Sequence, residues 1–412
     1  MKSAILWGAV GVVAVVTTHA NADEYESSFF KDSKSSVLLR NFYMNRDYRN
    51  PGASQSKRDE WAQGVIANFS SGFTNGTVGF GIDTTAMLGM KLDSSSDNIN
   101  TGLLPASGNG VAGSDHAPAD YTKAVGAVKL KYSNTVLKYG EMTVKNPVFM
   151  TSDSRLLPET AEGFYLVSKE VPGLTLEAGH FTSIRLRAQT NRASGPLTQA
   201  DFAGGSYSVT PALTASVYAS SIKDYWDKRY LGLTWIKPLD LKSAFTLDFN
   251  GYDQKSKGQA LGGDLDLRAF SLKAGYRFGG HSAALAYQVI DGRGAYKYGA
   301  DGSDTNYLVN YIQYMDATHA GEHSWQARYD YDFAAVGVPG LNFMTRYARG
   351  DNFKTSAGDG AKEWERNISL AYTIQAGPVK NLNFKIRQAT YRSDINSQID
   401  EVRVITEYPL SF

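Results

Sequence analysis

The sequence predicts an all-β fold, an antiparallel β-barrel that spans a membrane, and three observations predict it. Extended segments alternate apolar and polar residues with a period of two, again and again along the chain. No part of the chain supplies a second protein layer to cover the apolar side. The chain also ends on an aromatic residue, Phe412, that closes one such alternating segment. A closed sheet with lipid outside and water inside satisfies both faces, because closure leaves no backbone group unpaired in hydrocarbon.

The N-terminus reads as an export signal. Lys2 supplies charge, 4–16 is an apolar run, and Ala20-Asn21-Ala22 is a small-residue cleavage motif followed at once by Asp23 and Glu24. Those two polar residues favour cleavage over an uncleaved anchor, and the run is too short to cross a bilayer as a helix. Residues 1–22 are therefore expected to be removed, and 23–412 to form one barrel domain. The whole chain carries 42 Lys and Arg against 41 Asp and Glu; losing Lys2 leaves the mature protein balanced. Ionic selectivity must then come from where charges sit, and no nucleic-acid partner is expected. The absence of cysteine excludes disulfides, thiolate metal sites and cysteine nucleophiles. A mean hydropathy of −0.32 suits a barrel, in which only alternate residues meet lipid. The 19 Phe, 25 Tyr and 6 Trp suit interfacial girdles, and the 40 Gly suit turns and strand bends. Strands of roughly ten residues with their turns would number about 16 to 18 in such a chain.

The alternation runs from 78 to 92. It returns where Phe245, Leu247, Phe249 and Gly251 oppose Thr246, Asp248, Asn250 and Tyr252. Trp325, Ala327, Tyr329, Tyr331 and Phe333 oppose Gln326, Arg328, Asp330 and Asp332. In the last segment Val402, Val404, Thr406, Tyr408 and Leu410 take the lipid side, which turns Glu401, Arg403, Ile405, Glu407, Pro409 and Ser411 inward. Short turns are expected at 71–75, 171–173, 237–239, 338–340 and 377–381, and long external loops at 93–123 and 290–306. The connection 146–163 differs, because Ser152, Asp153, Ser154, Arg155, Pro158, Glu159 and Glu162 give it a dense mixture of charge and hydroxyls. It is expected to fold inward and narrow the lumen.

The same parity collects cations on the wet face: Lys129 with Lys131, Lys273 with Arg277, then Arg328, Arg346, Lys385, Arg387 and Arg403, with Arg40 joining from the first strand. Guanidinium forks match carboxylates, and cations lining a pore favour anions. The competing role for each is pairing with a nearby acid such as Asp83, Asp248, Asp330 or Glu407. Arg185 and Arg187 would share a face and repel unless an anion or acid lay between them. Asp153 and Arg155 either steer a polar permeant or fix their loop to the wall.

Enzyme motifs are missing. There is no phosphate-binding glycine loop and no Gly-x-Ser-x-Gly elbow. His319 and His323 sit in polar, loop-like surroundings, and the acid pairs Glu363/Glu365 and Asp330/Asp332 follow from strand alternation. No catalytic residue, cofactor or metal is expected.

The segments DSKSSVLLRNFYMNRDY (32–48), SDSRLLPETAEGF (152–164), PGLNFMTRYARG (339–350), GPVKNLNFKIRQATYRSD (377–394) and DEVRVITEYPL (400–410), with 60–93, make the chain similar to the OprD-like family of substrate-specific outer-membrane porins. That resemblance covers nearly the whole mature chain. It implies 18 strands in a monomeric barrel unit, a constriction shaped by inward loops, and a ladder of basic residues that guides carboxylates. It carries Arg40, Arg155, Arg346, Arg387 and Arg403, and matches Arg185 and Arg187 more loosely. Glu159 and Ala161 stand where the family often has Gln and Phe. The compact length resembles the branch that admits cyclic and aromatic carboxylates; a porin for basic amino acids and peptides, or a barrel enzyme, are the alternatives. The implied location is the bacterial outer membrane. The implied partners are a small carboxylate permeant, membrane lipid and the assembly machinery, with a weak homotrimer left open.

Overall fold

Eighteen segments of the chain become strands: β1 Lys34–Tyr48, β2 Lys57–Ser70, β3 Val78–Ser94, β4 Asp120–Tyr132, β5 Thr135–Met142, β6 Thr160–Ser168, β7 Leu174–Arg185, β8 Ala200–Thr210, β9 Leu213–Ile222, β10 Trp226–Pro238, β11 Ser243–Ser256, β12 Asp266–Phe278, β13 His281–Arg293, β14 His323–Asp332, β15 Leu341–Thr355, β16 Gly358–Thr373, β17 Asn383–Ser393 and β18 Ile399–Ser411. Each pairs antiparallel with its neighbours, and β1 pairs with β18 from Ser36↔Ser411 to Tyr48↔Ile399, so the barrel has no free edge. The computed structural model describes residues 28–51, 53, 55–106, 116–192, 197–299, 306–355, 358–395 and 397–412. The expected export signal, 1–22, and parts of both expected external loops, 107–115 and 300–305, lie outside the described residues.

The parity read from the sequence separates the two faces. Phe245, Leu247 and Trp325 are exposed on the outer wall, as are Val402 and Val404, whereas Asn250, Gln326, Glu401 and Arg403 are buried inside. Short turns share one end with the start of β1 and the end of β18; the turn expected at 237–239 begins two residues later, because Lys237 and Pro238 still pair with Phe245 and Ala244.

At the other end the connections are longer, and their bounds need correction. β3 and β4 extend into the loop expected at 93–123, which shortens to 95–119. The inward segment expected at 146–163 is 143–159, because its last residues enter β6. The loop expected at 290–306 starts after Arg293 and continues to 322, and 306–322 turns into the barrel rather than outward.

A lumen wetted throughout is also overturned. Three apolar clusters lie inside the wall, each where a connection packs against it. Leu156 and Leu157 cover Phe42, Met44, Ala62, Ile66 and Met87. Val144, Val148 and Phe149 join Phe181, Phe202, Tyr218, Tyr230 and Tyr252. Ile312, Met315 and Ala317 join Ala348, Tyr391 and Ile399. Burying one such side chain stabilises by about 1.5–3 kcal/mol, so inner positions facing a loop gain more from being apolar than polar. Close approach matters too: a Cβ on Gly64 would stand 3.2 Å from the Leu156 carbonyl oxygen.

Candidate functional site

Segment 143–159 crosses the barrel as a chord. At one end the Val148 carbonyl accepts the Ser220 hydroxyl of β9 at 3.3 Å, and the Pro147 carbonyl accepts the Tyr252 hydroxyl of β11 at 3.0 Å. At the other end Arg40 of β1 donates to the carbonyls of Arg155 and Leu156 at 2.9 and 3.2 Å, and to Asp153 at 2.7 and 3.1 Å. Inside the segment, the Ser152 N–H donates to Glu159 at 2.8 Å and the Glu159 N–H returns to the Ser152 carbonyl at 2.8 Å. Ser152 and Ser154 join their hydroxyls at 3.1 Å. Lys123 of β4 donates to the carbonyls of Pro158 at 2.9 Å and Leu186 at 2.6 Å, which ties two connections to one strand. These contacts fasten the segment to β1, β4, β9 and β11.

Segment 306–322 runs along the remaining wall. Its Asn310 N–H donates to Gln288 of β13 at 3.0 Å, and the N–H groups of Tyr314 and Met315 donate to Glu365 of β16 at 3.1 and 2.5 Å. Gln313 donates to Glu401 at 3.1 Å, and its carbonyl accepts Arg403 of β18 at 3.2 Å. The strands β14–β18 with β1 form the adjoining arc of the wall.

That arc holds the cations in register. Arg328 faces Arg346 across β14/β15, and Arg387 faces Arg403 across β17/β18; between them β16 places Asn367 opposite Arg346 and Ser369 opposite Arg387. Their electrostatic states differ. Arg40 is held by Asp153 and Glu407, both at 2.7 Å, and the Asp153 side chain is still 54% exposed. Arg403 lies 2.5 Å from Glu401, which Arg46 approaches at 2.7 Å from the opposite strand. Arg328 pairs with Asp330 at 2.7 Å. Arg346 donates to the Asn367 amide oxygen at 2.6 Å and has no carboxylate within ion-pair distance among the described residues. Arg387 has neither hydrogen-bond acceptor nor carboxylate partner among the described residues, although it is half-buried on the arc.

The other expected cations lie elsewhere. Lys129 is buried near the short-turn end, where it donates to Asp83, Ser70 and the Ser71 carbonyl, each at 2.7 Å. Lys273 pairs with Asp248 at 3.0 Å, and Arg277 is exposed near the turn after β12. Arg185 and Arg187 do not share a strand face: β7 ends at Arg185, which pairs with Glu141 at 2.8 Å. Arg187 lies in the following connection and meets Arg155 at Gly102, where their Nε atoms stand 3.5 and 3.6 Å from the place a Cβ would occupy. Arg155 itself donates to the Thr101 carbonyl at 3.1 Å, tying the chord to the 95–119 connection.

The sequence does not single out Arg46, Lys123 or the inward course of 306–322. Arg46 shares parity with Arg40, so the same counting reaches it. Lys123 shares parity with Lys129 but falls at the end of the loop expected at 93–123. The polar face of 306–322 reads as solvent-exposed until its partners on β13, β16 and β18 are known.

Known proteins share this architecture. The family described as outer membrane porin, OprD family, matches residues 27–412. Porin D of Pseudomonas aeruginosa (strain PAO1) is 40% identical, covering 98% of each chain. The crystal structure of Pseudomonas aeruginosa OccK9 (OpdG) is similar with a TM-score of 0.89 and 38% identity, over 94% of this chain and 100% of that one. That of Pseudomonas aeruginosa OpdK with vanillate is similar with a TM-score of 0.86 and 35% identity, over 93% and 100%.

Proposed function

The chain belongs to the OprD family of outer-membrane porins, and we propose that its passage admits small carboxylates, in particular monocyclic aromatic or pyridine carboxylates, by passive diffusion. The observation that carries this reading is the Arg387 guanidinium, uncompensated on an arc where its neighbours Arg328, Arg403 and Arg40 are already paired. Arg346, bound only to a neutral amide, extends the same positive surface. A carboxylate meeting Arg387 gains a two-point, charge-assisted contact, and a flat ring gains from stacking on a guanidinium plane. Each contact is weak enough in an aqueous lumen for release, which conduction requires. The OpdK structure holding vanillate, an aromatic carboxylate, supports the ligand class. The polar groups of the passage act by attraction and exclusion, without chemistry on the permeant.

The reading includes export directed by 1–22, with 23–412 as the barrel. Single-channel recording with benzoate against its neutral isostere benzamide tests the carboxylate claim. Ligand-dependent current interruptions are expected for benzoate alone, and equal interruptions by benzamide would sink it.

A further inference from the structure

Three side chains with metal-ligating chemistry converge at the long-loop end of the barrel. His319 and Glu322 close the inward segment 306–322, and Glu363 stands on β16; one donor atom from each lies within 4.8 Å of the others. Both carboxylates are out of water, at 1% and 2% exposure. Glu322 Oε2 accepts the His319 N–H at 3.0 Å, and Glu363 Oε2 accepts the Tyr391 hydroxyl. The second oxygen of each carboxylate, Oε1, is buried and accepts no hydrogen bond.

Two buried acids without a cation are an unstable arrangement. Removing a carboxylate from water is costly unless an opposite charge accompanies it, and two together also repel. Among the described residues neither has a lysine or arginine in ion-pair range. The His319 ring sits 3.8 Å from Glu363 Oε2, too far for a hydrogen bond, and is oriented by stacking on Phe353 of β15 at 4.6 Å.

We propose that His319, Glu322 and Glu363 bind one divalent cation of the zinc class, which ties the inward loop to β16. The donor set selects the ion: calcium and magnesium take oxygen ligands alone, whereas an imidazole nitrogen with two carboxylates suits zinc and its transition-metal neighbours. The cation balances both buried charges and gives the orphaned oxygens a partner. Tyr391, donating to Glu363, holds that ligand in place from behind. The His319 side chain remains 25% exposed, which leaves a route for the ion. His323, four residues on, faces away: its Nδ1 lies 3.0 Å from the Tyr287 hydroxyl on the outer wall.

The test uses the mature barrel in detergent, stripped by a chelator and titrated calorimetrically with zinc chloride, with calcium and magnesium chloride alongside. One zinc per barrel is expected, with affinity falling about tenfold or more in both Glu363→Gln and His319→Ala. Circular dichroism establishes that each variant keeps its β-sheet, and His319→Ala, on a loop, serves if Glu363→Gln does not fold. Absence of zinc binding by the unaltered protein would overturn the proposal, leaving the two acids to share a proton. Binding that survives both substitutions, or that favours calcium, would overturn it equally.

Discussion

Arg387 and Arg403 stand directly opposite each other on β17 and β18, yet only Arg403 is neutralised by an acid, Glu401 at 2.5 Å, among the described residues. Two guanidiniums in equivalent strand positions thus differ: Arg403 fastens segment 306–322, whereas Arg387 makes no such tie among the described residues.

Neutralising these two arginines is expected to separate binding from stability. Arg387→Gln should weaken interruption of the current by benzoate about tenfold, the loss of one charge-assisted contact, with the melting temperature unchanged. Arg403→Gln should instead lower the melting temperature and make the open current noisier, because buried Glu401 loses one of its two ion-pair partners and the Gln313 carbonyl loses its donor. Equal effects of both changes on benzoate would contradict the division.

Asp153 is the exposed acid of the chord and faces the basic arc. Asp153→Asn should shift the zero-current potential across a potassium chloride gradient toward greater anion preference. Arg40 retains Glu407 and two loop carbonyls, so the chord should stay in place. The shift should shrink as ionic strength rises, since screening shortens the reach of the charge. A move toward cation preference would refute this role for Asp153.

Leu156 is fully buried beneath the chord against β1–β3. Leu156→Ala should cost about 2–5 kcal/mol of local stability, through lost burial and the cavity left behind. Hydrogen exchange should quicken across 143–159 and single-channel conductance should rise. Unchanged exchange there would show that the polar ties, to Arg40, Lys123, Ser220 and Tyr252, hold the loop without it.

Glu365 accepts two backbone N–H groups of the opposite loop. Glu365→Ala leaves those donors buried without partners, at about 1–3 kcal/mol each. Exchange should quicken at 313–317 and stay unaltered at 143–159. Parallel changes in both segments would mean that the loops are coupled rather than separately anchored.

Much of this was legible from residue order. A period of two assigns Phe245 to lipid and Asn250 to the interior without reference to any neighbour, and counting back from Phe412 places Glu401 and Arg403 inside. Phe42, Met44 and Tyr252 defeat the simpler rule that inner residues are polar, because their partners Leu156 and Pro147 arrive from a connection more than a hundred residues away. The same distance hid the direction of 306–322, whose polar residues bond to the wall rather than to solvent.

Residue order by itself determined that this chain is a lipid-embedded barrel and that Arg40, Arg346, Arg387 and Arg403 share its inner face, since side-chain direction along a strand is a local property. Tertiary structure alone decided which of them stay uncompensated. Arg40 meets Glu407 across 367 residues and Arg185 meets Glu141 across 44, pairings that exist only once the strands have closed. Charge is written locally, whereas its neutralisation depends on what the fold brings within a few ångströms.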